Sequence, residues 1–406
     1  MTKDRRPHIG IYGRRNNGKS TFINRITNQD IAIVSEVAGT TTDPVKKAYE
    51  ITGFGAVTLI DTAGIDDVGV LGAKRIEKTV ATIKQTDLAV LLVANNQCDE
   101  FELNLISQFK SLDTPFLVIH SKSDVTPMSS ALIDVYKKLG VVDILEYSQN
   151  DSQVESLIGA IKHAIPELSY QMPSLVGGLI KQGDIVLLIT PIDIEAPEGR
   201  LILPQVQAIR DILDNDAVCI VLKEREVDAF LKRTAIIPAL VITDSQVFPK
   251  ADASIPKEIP LTSFSIILAH QKGDFANYLK GTPTISELKD GDRVLMLESC
   301  SHHTSCDDIG RVKIPRWLAN FTGKQLEADV VAGLGEIKRP ITDYALVIQC
   351  GGCMITRKQL INRLKPAIDA GVPVTNYGMA IAYVHGIFNR ATEPFTKGVK
   401  PRIDYI

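Results

Sequence analysis

Residues 13–20, Gly13-Arg14-Arg15-Asn16-Asn17-Gly18-Lys19-Ser20, fit the pattern G-x-x-x-x-G-K-[ST]. The glycines let successive backbone N–H groups wrap an anion at the start of a helix. That arrangement requires a strand feeding the loop and a helix leaving it. Both are written in the flanks: His8-Ile9-Gly10-Ile11-Tyr12 reads as a short apolar strand, and Ser20 to Ile26 as a helix. A chance match is expected roughly once in 100 chains of this length at average residue usage. With its context, the loop predicts a doubly wound α/β sheet carrying a phosphate-bearing ligand at the edge where its strands end.

The rest of the chain extends this class. A length of 406 residues exceeds one ordinary core and implies two or three domains. Short apolar runs at Ala56 to Ile60, Leu88 to Val93, Phe116 to His120 and Ile144 to Tyr147 continue the first sheet. The stretch from Pro166 to Gly183, rich in Pro and Gly, reads as a linker. A second α/β stretch follows, with strands at Ile185 to Ile189, Ala217 to Leu222 and Ala239 to Ile242. Helices at Leu203 to Leu213 and Glu224 to Arg233 alternate with them. It carries no catalytic motif, which suits an oligomerisation module. Pro249 to Pro260 reads as a second boundary. Beyond it, Arg293 to Leu297 and Tyr344 to Ile348 read as strands and Ile355 to Ala370 as a helix. The expected organisation is 1–168 for a nucleotide-binding domain, 169–260 for a small α/β middle domain that dimerises, and 261–406 for a C-terminal α/β domain.

The companions of the phosphate loop select the nucleotide. Asp61-Thr62-Ala63-Gly64 follows the strand Ala56 to Ile60 and resembles the D-x-x-G element of GTPases. Asp61 would lie near Mg²⁺, and the Gly64 N–H on the γ-phosphate. Lys19 bridges β- and γ-oxygens, and Ser20 supplies a Mg²⁺ ligand. Gly39-Thr40-Thr41-Thr42-Asp43 sits where a switch segment belongs. Thr41 is its expected Mg²⁺ ligand, with Thr40 and Thr42 as adjacent alternatives. Ser121-Lys122-Ser123-Asp124 resembles the N-K-x-D guanine element. Asp124 would accept the ring N–H and exocyclic amine of guanine, a pair adenine lacks. Ser121 stands where the family has Asn, which questions the tie from this element to the phosphate loop. Ser148 is the remnant of the base-contacting S-A-K element. The GTP-binding set is then Gly13, Asn16, Asn17, Gly18, Lys19, Ser20, Thr21, Thr41, Asp61, Lys122, Asp124 and Ser148. The catalytic set is Lys19, Thr41, Asp61 and Gly64. Ile65 follows Gly64, where Ras-like enzymes place a water-orienting Gln. Asn16 matches the K⁺-ligand position of the potassium-activated tRNA-modification GTPase family. That resemblance implies slow hydrolysis stimulated by K⁺.

The cysteines add a second chemistry. Cys350-Gly351-Gly352-Cys353 precedes the helix from Ile355, and Cys300-Ser301-His302 follows the strand ending at Leu297. One C-x-x-C spacing among six cysteines arises by chance in roughly 7% of such chains, so the context carries the argument. Both arms leave the C-terminal ends of strands, where open α/β sheets build sites. Three thiolates suit zinc, which His302 could close, or an iron–sulfur cluster with one open iron. Softness alone does not choose between them.

A potassium-type GTPase domain, a motif-free middle domain and a C-x-H … C-x-x-C domain together resemble the HydF family, the maturation GTPases of iron–iron hydrogenases. The family pattern is C-x-H … H-C-x-x-C. Cys300, His302, Cys350 and Cys353 match it, and Gln349 replaces the second His. The resemblance implies a 4Fe–4S cluster on Cys300, Cys350 and Cys353. Its fourth position is open to Glu298, His302, His303 or water, with Cys306 as a rival to Cys300. It also implies a scaffold or carrier that accepts a di-iron subcluster precursor from two radical-SAM maturases and delivers it to apo iron–iron hydrogenase, as a homodimer. The expected cofactors are GTP, Mg²⁺, K⁺ and the 4Fe–4S cluster. Two rivals stand beside this reading: an RNA-directed GTPase of the tRNA-modification or ribosome-assembly type, and a zinc-stabilised regulatory GTPase.

The totals bear on these rivals. With 45 basic against 48 acidic residues, net charge gives no electrostatic case for nucleic acid as the main partner. No apolar run reaches the roughly 20 residues of a membrane span, and residues 1–7 lack a signal-peptide core. The expectation is a cytoplasmic protein whose cysteines are ligands or core residues rather than disulfides.

Overall fold

A computed structural model describes residues 6–27, 45–51, 54–62, 78–148, 154–169, 172–191, 201–299 and 308–396. The chain divides into two compact units, 1–172 and 173–406.

The first unit is built on a six-stranded sheet. Its strands are β1 (His8–Gly13), β2 (Val45–Ile51), β3 (Gly55–Asp61), β4 (Leu88–Val93), β5 (Phe116–Ser121) and β6 (Asp143–Tyr147), in the order β2-β3-β1-β4-β5-β6. All neighbours are parallel except β2 and β3. Every residue of β4 and β5 is buried, as expected of central parallel strands covered on both faces. The sequence reading did not include β2. Its run Val45-Lys46-Lys47-Ala48-Tyr49-Glu50-Ile51 is charged, and Lys46, Lys47 and Glu50 are exposed. Charge is how an edge strand avoids pairing with another chain, and it hides the strand from an apolar pattern. Two apolar layers flank the sheet, one around Phe22, Leu59 and Ile161, the other around Tyr12, Phe109 and Tyr136.

The second unit holds two four-stranded parallel sheets. One is ordered β10-β9-β7-β8, from β7 (Ile185–Ile189), β8 (Val218–Leu222), β9 (Leu240–Thr243) and β10 (Leu261–Ser263). The other is ordered β12-β11-β13-β14, from β11 (Arg293–Leu297), β12 (Glu327–Val331), β13 (Leu346–Gln349) and β14 (Val374–Asn376). A single apolar cluster running from Leu175 to Phe395 serves both sheets. The Pro249–Pro260 stretch is not bare linker: Pro249 lies in the first turn of the helix Phe248–Ser254, where its missing N–H and fixed φ cost nothing. β10 then follows Pro260 and joins the first of these sheets.

The order β12-β11-β13-β14 positions the C-terminal site. From β11 the chain moves outward to β12, then returns to place β13 on the other side. A crevice opens between β11 and β13 at their C-terminal ends. Leu297, Gln349 and Asn376 pair across the sheet in one register. The residues that follow them, Glu298, Cys350 and Tyr377, therefore emerge side by side at that edge.

Candidate functional site

In the first unit, the phosphate loop leaves β1 and ends in the helix Lys19–Thr27, which carries Lys19, Ser20 and Thr21 in its first turn. Gly13 has φ +143°, and a Cβ there would sit 2.4 Å from the Leu92 carbonyl oxygen. Asn16 (φ +59°) and Gly18 (φ +80°) also take left-handed backbone. Asn16 is exposed, and Asn17 is buried with Nδ2 donating to the Leu92 carbonyl at 3.0 Å. Lys19 Nζ donates to the carbonyls of Gly13 (2.9 Å) and Arg14 (2.8 Å), so it lies across the loop.

Asp61 closes β3 beside Ile11 of β1. Burial raises its carboxyl above the usual range, opposed by Lys19 and then Lys47. Thr62 donates to the Ile11 carbonyl through its hydroxyl (2.6 Å). At the end of β5, the Ser121 hydroxyl lies 2.9 Å from the Asn17 carbonyl and 3.1 Å from that of Val93. Its single proton serves either acceptor. Ser121 thus reaches the phosphate loop despite replacing Asn. Lys122 follows with φ +57°, and Asp124 is exposed in the turn after it. The Ser123 N–H donates to the Tyr147 carbonyl (3.3 Å), bringing this turn beside half-buried Ser148. Thr41 and Gly64 lie outside the described residues.

One contact had no signal in the sequence. Arg14 donates from Nε and Nη2 to Glu102, at 2.8 and 2.9 Å, and pairs with Asp99. Asp99 caps the helix Glu100–Ser111 in a capping box completed by Glu102. The arginine and its carboxylates are 88 and 85 residues apart. No local pattern could have joined them.

In the second unit, Cys350 and Cys353 lie in the loop after β13, both half-buried. The Ser299 N–H donates to Cys350 Sγ at 3.1 Å, and Gln349 Nε2 approaches the same sulfur at 3.5 Å. The Cys350 thiol donates in turn to Ser299 Oγ at 3.0 Å. Gln349, which departs from the family His, is fully buried and links Ser299 Oγ (3.1 Å) to the sulfur. Buried Lys272, from the helix Phe264–Lys272, donates to the carbonyls of Gly352 and Ile355, both at 3.3 Å. It clamps the loop around Cys353.

Glu298 is buried, and its carboxylate is already held. Arg311 reaches its two oxygens from Nε at 3.2 and 3.1 Å and from Nη2 at 2.8 Å. Arg311 belongs to a π-helical turn, Ile309–Lys313, capped by Asp308. Arg363, from the helix Arg357–Asp369, ties the strand ends together. Its Nη1 donates to the Glu298 carbonyl (2.6 Å) and its Nη2 to that of Val331 (2.5 Å). Burial raises the Tyr377 phenol well above its usual range, helped by nearby Cys350, Glu298 and Asp308.

Cys300, His302, His303 and Cys306 lie outside the described residues. Among the described residues, no group of three His, Cys, Asp or Glu side chains could hold a metal ion. Two thiols, sulfur-directed donors and a buried lysine nonetheless suit an anionic thiolate-bound cluster, with Cys300 the next residue after Ser299. Cys219, in β8, is half-buried, and burial lifts its thiol to about 11, as befits an inert packed cysteine.

Residues 276–394 match the family model of the hydrogen maturase F tetramerization domain, and residues 175–273 that of the hydrogen maturase F dimerization domain. Residues 8–122 match a family described as 50S ribosome-binding GTPase. The chain is 34% identical over 120 residues to the tRNA modification GTPase MnmE of Aliarcobacter butzleri, covering 29% of this chain and 27% of that one. It is 37% identical over 135 residues to GTPase Era of Ruminiclostridium cellulolyticum, covering 32% and 45%. A solved structure of Era from Aquifex aeolicus bound to GDP.AlF4- covers 55% of this chain and 97% of its own, at 20% identity and TM-score 0.36. The chain spans less than half the length of these curated relatives. Among the described residues, no helix is long and apolar enough to cross a membrane.

Proposed function

We propose, for a chain that belongs to the hydrogen maturase F family, a GTP hydrolase whose C-terminal sheet carries a 4Fe–4S cluster. The cluster serves as the docking point of a scaffold. Cys300, Cys350 and Cys353 hold three irons, and the fourth iron stays open to a ligand. The chain accepts a di-iron subcluster precursor from two radical-SAM maturases and delivers it to apo iron–iron hydrogenase. The observation that carries this reading is the Cys350 environment. Its sulfur receives the Ser299 N–H at the crevice between β11 and β13, one residue before Cys300.

In the first unit, Lys19, Ser20, Thr41, Asp61 and Gly64 bind Mg²⁺ and the terminal phosphates, and Asp124 reads guanine. Asn16 is the K⁺ ligand, and turnover is slow and faster in K⁺ than in Na⁺. The family model over residues 8–122 is described as ribosome-binding, and a curated relative is a tRNA modification GTPase by name. The two models that cover 175–394 belong to hydrogenase maturation instead, and they favour the carrier reading.

The test is anaerobic reconstitution with iron and sulfide, followed by EPR of the reduced protein and of Cys300→Ala, Cys350→Ala and Cys353→Ala. The expected result is a 4Fe–4S signal that each substitution abolishes. A colourless protein holding one zinc ion would sink the carrier reading and favour the zinc-stabilised rival.

A further inference from the structure

The turn that carries Asp124 has no packing of its own to hold it. None of residues 122–130 is buried, and Val125 is 74% exposed. Its fold is local: the N–H groups of Val125 and Thr126 both donate to the Lys122 carbonyl at 3.0 Å. Ser121 and the Ser123 N–H fix where the turn begins. Its far end is fixed from outside, by the loop that follows β4. Asn96 Nδ2 donates to the Pro127 carbonyl at 3.0 Å, and Asn96 Oδ1 accepts the Ser129 N–H at 2.8 Å. Between them, the Met128 N–H donates to Glu146 Oε1 at 2.5 Å. Ser129 caps the helix Ser130–Lys138, so the same amide holds the end of the turn and the start of the helix.

Asn96 is itself held in an unusual backbone. It and Asn95 take left-handed φ values of +57° and +56°, a conformation that asparagine visits singly rather than in succession. The Asn96 N–H donates to Nε2 of His120, a buried residue of β5, at 3.3 Å. Because the amide is the donor, Nε2 is the unprotonated nitrogen and Nδ1 carries the ring's proton. Nδ1 has no acceptor among the described residues. Burial keeps the imidazole's pKa below its ordinary value, against the pull of Glu146, its register partner on β6. A neutral imidazole with an unpaired buried proton is poorer core material than the apolar residues that precede it in β5. What it provides there is the acceptor for Asn96.

We propose that Asn96 is the positioning residue of the guanine-reading turn, and that His120 sets Asn96 in the conformation that reaches it. The inference rests on the reading of Asp124 as the guanine acceptor and names the groups that aim its carboxylate. Neither side chain has to touch the nucleotide. Asn96 fixes the backbone at 127 and 129, and the short turn passes that constraint to Asp124. With the far end loose, the turn pivots about its start at Ser121. The carboxylate then loses the alignment that two parallel bonds to the ring N–H and the exocyclic amine demand.

The test is calorimetric titration of the full-length protein with GDP and with inosine diphosphate, which lacks the exocyclic amine. Asn96→Gly removes the amide and keeps the left-handed backbone. It should weaken GDP binding about tenfold, the worth of two modest hydrogen bonds, and inosine diphosphate binding less, so the preference for GDP shrinks. His120→Leu should act in the same direction by removing the acceptor. His120→Gln, whose amide oxygen can accept the Asn96 N–H, should restore the preference. Should His120→Leu fail to fold, Asn96→Gly in its half-buried loop still decides the matter. Equal weakening of both diphosphates, or an unchanged ratio between them in Asn96→Gly, overturns the positioning role. A His120→Gln variant no better than His120→Leu overturns the part given to His120. An unsubstituted protein that binds the two diphosphates equally overturns the guanine reading beneath both.

Discussion

Ser121 shows how one side chain can keep a contact that its identity seemed to forfeit. A shorter hydroxyl replaces the family amide, yet it reaches the Asn17 carbonyl at 2.9 Å. The phosphate loop lies close beside it. A Cβ added to Gly18 would meet that of Ser121 at 4.0 Å, an ordinary packing distance. The segment resembling the guanine element thus packs directly on the phosphate loop. Ser121→Ala leaves the buried Asn17 carbonyl without this donor, and Val93 without its alternative. A buried hydrogen bond of this kind is worth about 1 kcal/mol, so GTP affinity should fall about fivefold. Calorimetric titration with a non-hydrolysable GTP analogue checks it. Unchanged affinity would mean that the tie carries no part of nucleotide binding.

At the scale of elements, Arg14 joins the phosphate loop to the helix Glu100–Ser111 through Glu102, whose side chain is 2% exposed. Glu102 also accepts the Asp99 N–H at 3.1 Å, so one carboxylate both caps the helix and anchors the loop. Arg14→Met strips the pair of its cation and leaves a buried charge. The expected loss is about 3 kcal/mol in urea unfolding. The double variant Arg14→Met with Glu102→Leu should recover much of it, because no unpaired charge remains. Equal losses for single and double variants would show that packing, not charge, dominates. This contact marks the limit of what the sequence discloses. Strands β1, β4, β5, β7 and β11 were legible because burial on both faces writes itself as an apolar run. The phosphate loop and the C-x-x-C were legible because their spacing is local. Arg14–Glu102, and the reach of Arg363 to the carbonyls of Glu298 and Val331 at the ends of β11 and β12, were not. Each joins residues whose nearness depends on strand order, which no window along the chain contains. Gln349 is instructive in another way. As a departure from the family His it looked like a loss, but its buried amide donates toward the Cys350 sulfur.

For the whole molecule, β8 is the element that asks for a partner. It pairs only with β7 and forms one edge of its sheet. Edge strands are normally blunted by charge, proline or a bulge. Val218-Cys219-Ile220-Val221-Leu222 has none of these residues, and Val218 and Val221 are 50% and 40% exposed. The adjoining helix Leu203–Asp214 adds exposed Val206 and Leu213. The contrast with β2, whose edge is lined with lysines, shows that this chain protects an edge it means to leave bare. An uncharged, apolar β8 therefore reads as a surface covered by a second copy, within the residues that match a dimerization domain. Val221→Lys places a charge on that edge without entering the core. In sedimentation equilibrium the variant should shift to the next smaller species, while the GTP turnover of the first unit stays unchanged. If the assembly persists with Val221→Lys and also with Leu213→Glu, β8 and its helix are not the interface. The copies would then meet through another face, such as one within the 276–394 segment that matches the tetramerization domain.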